Sequence, residues 1–475
     1  MPHDKILQLD GATVQPPPKG LSEAFAFWAS QDKRRPLLDT PGAQVTAGQL
    51  LDLRDRWSAS IRSRRLASAS ILGLWTAEPL GFLAGLLAIL AAGHSPLLLD
   101  PKEPRRRVIQ TANTLRAAAV LRTDGEHLEL DPCDSDPARL SAPALIKLSS
   151  GSTGAPHGIV CSEQAVIDDA LRLAAVMELD ASDRMLANIP LGHSYGLSVL
   201  ALPCLLLGST LVVPRRGSEF ETAAAKGVTF FPSVPPFLRN LVDRESAPVT
   251  PKTLRRVLSA GAALAPETAR RFRWQFGVPV HAFYGASEIG GITYDPTGTA
   301  AETGTVGRPI PGVEIRLEPC PGMESGQGLV TVRSSSLARE CLPATDRSQL
   351  ASGWYRSSDV AEWDDQDLRL LGRATEIVNV GGLKVWPGEV EQVLRRMPSV
   401  TAAFVQGRPA PDGETEDLHA VLECATPPSY REARQWCLDA LAPHKIPRRI
   451  VFVAAMPCTE RGKLDRKALG RLLDS

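Results

Sequence analysis

Between Leu145 and Val160 the chain reads LIKLSSGSTGAPHGIV, and no other stretch limits the fold as much. An apolar run (Ala144, Leu145, Ile146, Leu148) breaks into hydroxyls and glycines and returns to apolar residues at Ile159 and Val160. That is the pattern of a strand, a turn and a second strand. Ser149, Ser150, Ser152 and Thr153 carry side-chain donors, while Gly151, Gly154 and Gly158 let backbone N–H groups approach an anion. Such a loop suits a polyphosphate. It is not the common P-loop, because no Gly-Lys-Ser/Thr follows the glycines at the required spacing. A serine-rich turn between two strands would read the same on this stretch alone.

Size and charge bound what surrounds the loop. At 475 residues the chain exceeds one compact core, and two or three domains are expected. A hydrophobic content of 43% with 22% charged residues is that of a water-soluble globular protein. Lysine plus arginine equals aspartate plus glutamate, 53 each, so no net field draws the chain to nucleic acid or an anionic membrane. Aromatic content of 5% likewise argues against base-stacking platforms. The 8 cysteines are scattered without Cys-x-x-Cys, which fits reduced thiols in a cytoplasmic protein and offers no metal site. The opening MPHDKILQLDGATVQPPPKG lacks the layout of a signal peptide and reads as a loosely held lead-in. The most apolar run, Leu80 to Gly93, is 14 residues, short of the ~20 that span a bilayer. It reads as a buried helix.

Helices are expected over Leu21 to Ser30 and over Val45 to Leu66, the second with Thr46 as a plausible N-cap. Short apolar strands (Ser70 to Trp75, Ser95 to Leu99, Ala118 to Leu121) then alternate with helical stretches, which argues for a wound, mostly parallel sheet. Past the loop, Ser162 to Leu179 reads as a helix and Met185 to Pro190 as a strand entering LGHSYGL. From Gly304 short strands separated by Gly and Pro turns form a β-rich subdomain, and beyond Glu376 strands and helices alternate over about 100 residues, a normal domain size.

SSGSTGAPHG resembles the phosphate-loop signature of the adenylate-forming (AMP-binding) superfamily, which holds acyl- and aryl-CoA synthetases, stand-alone adenylation enzymes and luciferases. The usual form is Ser/Thr-Ser-Gly-Ser/Thr-Thr-Gly-x-Pro-Lys-Gly, and His157 stands where that family has lysine. Further motifs follow in the family's order. His193 and Gly196 in LGHSYGL resemble its His-x-x-Gly bend against the bound acid, and Val234 lies in its Val-Pro-Pro turn. RVLSAGAAL resembles Ser-Gly-Gly-Ala-Pro-Leu, which puts Gly261 and Ala262 near adenine and acyl group. HAFYGASEIGG fits Tyr-Gly-x-Ser/Thr-Glu at Tyr284, Gly285, Ser287 and Glu288. A flat aromatic can stack on adenine, a hydroxyl can contact the α-phosphate, and a hard carboxylate can hold Mg²⁺ against phosphate oxygens. GWYRSSD resembles Gly-Trp-x-x-Thr-Gly-Asp, which gives Asp359 the ribose hydroxyls, and Arg373 matches the arginine beside ribose and phosphates. Near the end, Lys463 falls on the lysine that bridges substrate carboxylate and α-phosphate, and Gly381 and Gly382 fall on the strand that lines the thiol tunnel.

The resemblance therefore implies an α/β fold: a large N-terminal domain (1–373) of wound sheets plus a β-rich subdomain, and a small hinged α+β lid (374–475). It implies an AMP-forming acid–thiol ligase that uses ATP, Mg²⁺ and coenzyme A. The acid would be acyl or aryl, since LGHSYGLSVL lacks the aspartate with which amino-acid-activating relatives hold an amine. Two alternatives stay open: loading of a carrier-protein phosphopantetheine, and a non-catalytic adenylate-binding protein. His157, Ser358 and Thr375 speak for the last; Tyr284, Glu288, Asp359, Arg373 and Lys463 together speak against it.

Overall fold

The structure, a computed structural model, describes residues 20–150, 156–215, 217–244, 250–319, 323, 325–343, 348–376, 378–380, 383–410, 416–458 and 464–474. The polar lead-in and the roles expected of Gly151, Ser152, Thr153, Gly154, Gly381, Gly382 and Lys463 fall outside these, as do the side chains of Ser150 and Thr375.

Among the described residues two large sheets carry the N-terminal part. In the first, of seven strands, the centre is parallel: Ala144–Ser150, Ser95–Leu98, Ile71–Trp75 and Ala119–Thr123 lie side by side. Its edges are antiparallel, with Leu128–Pro132 on one side and Pro156–Ser162 then Glu340–Leu342 on the other. The second, of nine strands, has a parallel run Val280–Ala286, Arg256–Ser259, Phe230–Ser233, Arg184–Leu186, Thr210–Val212 and Pro36–Asp39. It too ends in antiparallel strands. Parallel sheets need cover on both faces. One core joins the inner faces of both sheets (Leu72, Leu211) to the helices Leu21–Gln31, Ala47–Ser63, Pro79–Ala91 and Glu163–Val176. Separate clusters, one around Phe220, Phe231 and Phe272 and one around Ile71, Leu97 and Val108, cover the outer faces.

Local chemistry accounts for the elements. Thr46 closes a capping box, accepting from the Gln49 N–H at 3.4 Å while the Gln49 side chain accepts from the Thr46 N–H at 2.8 Å. The apolar run becomes the helix Pro79–Ala91, started by its proline and buried from Gly81 to Leu90. No helix among the described residues is long and apolar enough to cross a membrane. One expected strand is cut short: Arg184–Leu186 ends well before Pro190, because Asn188 turns back to donate to the Leu186 carbonyl at 3.0 Å.

A four-stranded antiparallel sheet, Glu314–Glu318, Gly328–Arg333, Tyr355–Asp364 and Asp367–Arg373, forms the β-rich subdomain. The smaller C-terminal domain follows. Its strands Ala402–Pro409, Glu416–Glu423 and Arg449–Val453 pack on the helices Pro387–Arg395 and Tyr430–Ala440 around their own core, Val385, Val390, Leu394, Ala420 and Leu422 among it.

Candidate active site

Three neighbouring parallel strands, Phe230–Ser233, Arg256–Ser259 and Val280–Ala286, end along one edge of the nine-stranded sheet. The carboxyl edge of such strands is where α/β proteins leave a crevice. Val234, Gly261, Ala262 and Ser287 follow those ends, and Tyr284 lies just before the end of Val280–Ala286. Gly261 takes φ +84°, a left-handed conformation that favours glycine. Beside Ala262 and Phe283 the crevice continues to Thr305 and to Gln392 and Arg395 of the C-terminal domain.

The turn after Val280–Ala286 is held from behind. Buried Asp169 accepts from the Gly291 N–H and from the Ser198 hydroxyl, both at 2.8 Å. Gly290 has φ +78°, and a Cβ there would run into the Asp169 carboxylate, so the turn sits tight on that helix. Thus fixed, Ser287 places its hydroxyl 2.7 Å from that of Ser194, and its carbonyl accepts from the Lys147 amine at 3.3 Å. The half-buried Glu288 carboxylate takes a hydrogen bond from the Tyr355 hydroxyl. Burial pushes the Glu288 pKa up, against the opposing charge of Lys147. Burial, with Glu288 beside it, also holds Tyr355 protonated.

Asp359 links the subdomain to this turn. The Tyr284 hydroxyl donates to its Oδ2 at 2.7 Å, and Arg373 Nε lies 3.3 Å from its Oδ1 across the strand pair Tyr355–Asp364 and Asp367–Arg373. Burial and that carboxylate raise the Tyr284 pKa well above its ordinary value, so the phenol stays a donor. The expected residues Tyr284, Gly285, Ser287, Glu288, Asp359 and Arg373 are thus brought together.

The remaining described candidates lie around them. Ser149 and His157 face each other across the hairpin of Ala144–Ser150 and Pro156–Ser162, both half-buried. His193 Nε2 lies 3.7 Å from Asp100 Oδ2. Gly196 is packed so close to the Pro190 carbonyl that a side chain would collide with it. Val234 precedes the helix Pro235–Val242, whose Arg239 pairs with Glu423 of the C-terminal domain at 3.3 Å. Glu423 also accepts from the Met456 N–H at 2.6 Å, two residues before Cys458, which bridges to Leu464.

Sequence reasoning missed Tyr355, Ser194, Asp169 and Lys147. Tyr355 had a signal: Tyr355, Ser357 and Asp359 alternate along one strand and so share a face. Ser194 sat inside a motif read only for His193 and Gly196. Asp169 carried none, being one acid among several on an amphipathic helix.

A single hard carboxylate is a fitting share of a Mg²⁺ site, because Mg²⁺ keeps waters and phosphate oxygens as its other ligands. Glu288 fits that part: it is half-buried, its pKa is raised by burial, and it is answered on the protein side by one hydroxyl and a nearby ammonium.

Residues 25–340 match the AMP-binding enzyme family and residues 389–463 match the AMP-binding enzyme C-terminal domain. The chain belongs to the AMP-binding enzymes. Sulfoacetate–CoA ligase of Cupriavidus necator is 29% identical over 412 residues, covering 81% of this chain and 80% of that one. Phenyloxazoline synthase MbtB of Mycobacterium tuberculosis is 27% identical over 521 aligned positions, 98% of this chain but 35% of that longer protein. Among solved structures, o-succinylbenzoate–coenzyme A synthetase (MenE) of Bacillus subtilis, in complex with ATP and magnesium ion, shares the fold. Its TM-score is 0.79 at 21% identity, over 94% of this chain and 99% of that one.

Proposed function

We propose that this AMP-binding enzyme is an acid–thiol ligase. In the first step a carboxylate oxygen attacks the α-phosphorus of ATP, pyrophosphate leaves, and an acyl-adenylate remains. In the second a thiol, that of coenzyme A, attacks the acyl carbonyl and AMP leaves. The observation that carries this reading is the convergence of Tyr284, Ser287, Glu288, Asp359 and Arg373 around the turn that follows Val280–Ala286. A planar phenol, a hydroxyl, a part-answered carboxylate and a carboxylate–guanidinium pair are what adenosine, α-phosphate, metal and ribose ask for.

In this reading Asp359 and Arg373 hold the ribose and Ser287 steadies the α-phosphate. Gly261 and Ala262 admit the adenine edge, and His193, Gly196, Val234 and Gly285 shape the acid pocket. Glu288 would hold Mg²⁺, which would supply neutralisation of phosphate charge. Ser149, Ser150, Gly151, Ser152, Thr153, Gly154 and His157 hold the outgoing pyrophosphate. Charge gathers on the phosphorus oxygens in the transition state, so fixed donors there lower the barrier. Lys463 brings the last positive charge from the C-terminal domain. The hinge follows Arg373, at the turn Ala374–Glu376, whose Glu376 accepts Arg466 of the C-terminal helix at 2.6 Å. Rotation there exchanges Lys463 for Gly381 and Gly382, against which a pantetheine chain can pass. The acid is not an amino acid, since no aspartate stands between Leu191 and Leu200 to hold its amine.

Similarity to sulfoacetate–CoA ligase over four-fifths of both chains supports coenzyme A as acceptor. The match to MbtB over 98% of this chain, as a fraction of a longer protein, supports the second reading, transfer to a pantetheinyl carrier protein. Pyrophosphate release across a panel of carboxylic acids, with coenzyme A, with a phosphopantetheinylated carrier protein and with neither, tests both. Acid-dependent release with thioester formed on coenzyme A is expected. Thioester on the carrier alone replaces the acceptor, and no acid-dependent release in any arm removes the ligase.

A further inference from the structure

Lys147 has no part in the assignments above. It lies in the strand Ala144–Ser150, 3% exposed, and among the described residues its amine donates only to the Ser287 carbonyl, at 3.3 Å. An ammonium has three donors, and burying it without an anion costs several kcal/mol. Among the described residues no carboxylate hydrogen-bonds to it, although Glu288 lies within reach of its charge. Asp169 is taken up by Gly291 and Ser198. Cys161 is a buried thiol pushed up by its burial and so neutral. Tyr355 is a protonated phenol whose hydroxyl is turned to Glu288. Asp359 is engaged by Tyr284 and Arg373. Glu288 feels the charge of Lys147 but takes its hydrogen bond from Tyr355.

Its direction is informative. In the hairpin Lys147 pairs with Ile159 and Ser149 with His157. Residues two apart on a strand, and residues opposite each other on paired strands, share a face. Lys147, Ser149 and His157 therefore stand on one face, that of Ser287 and Glu288. One two-residue step, about 7 Å, separates Lys147 from the level of His157, the position where the resemblance expects lysine.

We infer that Lys147 is a phosphate-binding cation of this site, a buried amine set behind Ser287 in a chain that carries histidine at position 157, where the resemblance expects lysine. The inference rests on the reading that MgATP binds at Ser287 and Glu288. Its remaining N–H donors would turn to the triphosphate beside Ser287, an anion that no described side chain supplies to it by a hydrogen bond.

The test uses the full chain, with Lys147→Met and Lys147→Gln, and reads MgATP binding by calorimetry without acid or thiol, together with thermal unfolding without nucleotide. Hydrogen bonds to a charged group are worth ~1.5–3 kcal/mol, so the dissociation constant should rise about 10- to 100-fold in both variants. The melting temperature of the empty protein should hold or rise, since a buried charge with no hydrogen-bonded anion among the described residues has been removed. Adding His157→Lys to Lys147→Met should recover most of the lost affinity. Unchanged MgATP affinity, failure of His157→Lys to recover it, or a fall in the empty protein's melting temperature in both variants each overturns the inference. Failure of the function is distinguishable: Lys147-dependent MgATP binding without acid-dependent pyrophosphate release removes the ligase and leaves Lys147 in place.

Discussion

Two carboxylates of the N-terminal domain, Asp39 and Glu288, are each held in its interior and are perturbed in opposite directions. Asp39 ends the strand Pro36–Asp39, 8% exposed, with Arg184 2.5 Å from one oxygen and Lys226 2.9 Å from the other. Burial alone would raise its pKa, but hydrogen bonds and charge from Lys226 and Arg184 outweigh that and leave it below its ordinary value. Glu288 is raised by burial, and one phenol and the field of Lys147 only part-offset it. A carboxylate answered on both oxygens by cations of its own chain is a strut. One left with a hydroxyl and an ammonium that donates elsewhere has room for a cation from outside. Perturbed acids gather at functional sites, but the direction of the shift and the completeness of the partners separate site from scaffold.

That contrast can be broken or sharpened by substitution. The largest effect is expected at Lys463, proposed to bring positive charge from the C-terminal domain. Lys463→Ala should cut acid-dependent pyrophosphate release by ~10³-fold, as losses of transition-state charge stabilisation do, yet spare thioester formation from pre-made acyl-adenylate. Equal loss of both steps would take Lys463 out of the role given to it. Next comes Glu288→Gln, which keeps the shape and removes the charge. Adenylation should fall about 10²-fold and the Mg²⁺ needed for half-maximal rate should rise, while the empty protein is no less stable, because a burial penalty has gone. If instead the variant unfolds more easily and retains its rate, Glu288 is a second Asp39.

Asp39→Asn should do the reverse, weakening the fold and sparing the rate. Two oxygens lose charged partners that remain part-exposed, so a loss of ~1–2 kcal/mol at pH 7 is expected in urea unfolding. Its sign with pH is fixed. The folded pKa lies below the unfolded value near 3.8, so the stability Asp39 contributes is complete above 3.8 and is lost as pH falls through the folded pKa. The difference between Asp39→Asn and the parent should therefore shrink below pH 3.8. A difference that grows on acidification would reverse the assignment. The smallest effect is expected of Tyr355→Phe, which removes one neutral donor from Glu288. The rate at limiting Mg²⁺ should change less than about tenfold, the worth of one such hydrogen bond. A hundredfold change would mean that the phenol itself contacts substrate.

Much of this site was legible because its motifs are local. Tyr284, Gly285, Ser287 and Glu288 sit within one turn of chain, and Ser149 and His157 flank one loop, so short signatures of the resemblance pointed to them as candidates. Asp359 and Arg373 were legible for the same reason, each within a short signature. Lys147 was hidden: Leu145 and Ile146 are both buried, so the strand has no exposed face, and period-two reading cannot tell where its lysine points. Asp169 was hidden by distance, 122 residues from the Gly291 it holds. The expected strand Met185 to Pro190 failed through a turn whose partner, Val212, accepts from Ala187 in another strand.

The sequence by itself determined the chemical groups, the order of strands and helices, and membership among the AMP-binding enzymes, because these follow from residue type and short-range spacing. Only the tertiary structure decided which charges are answered. Lys147 meets Ser287 across 140 residues, and Tyr284 meets Asp359 across 75. The energy of a buried charge is set by what lies within a few ångströms of it, and neighbours of that kind are made by packing rather than by succession along the chain.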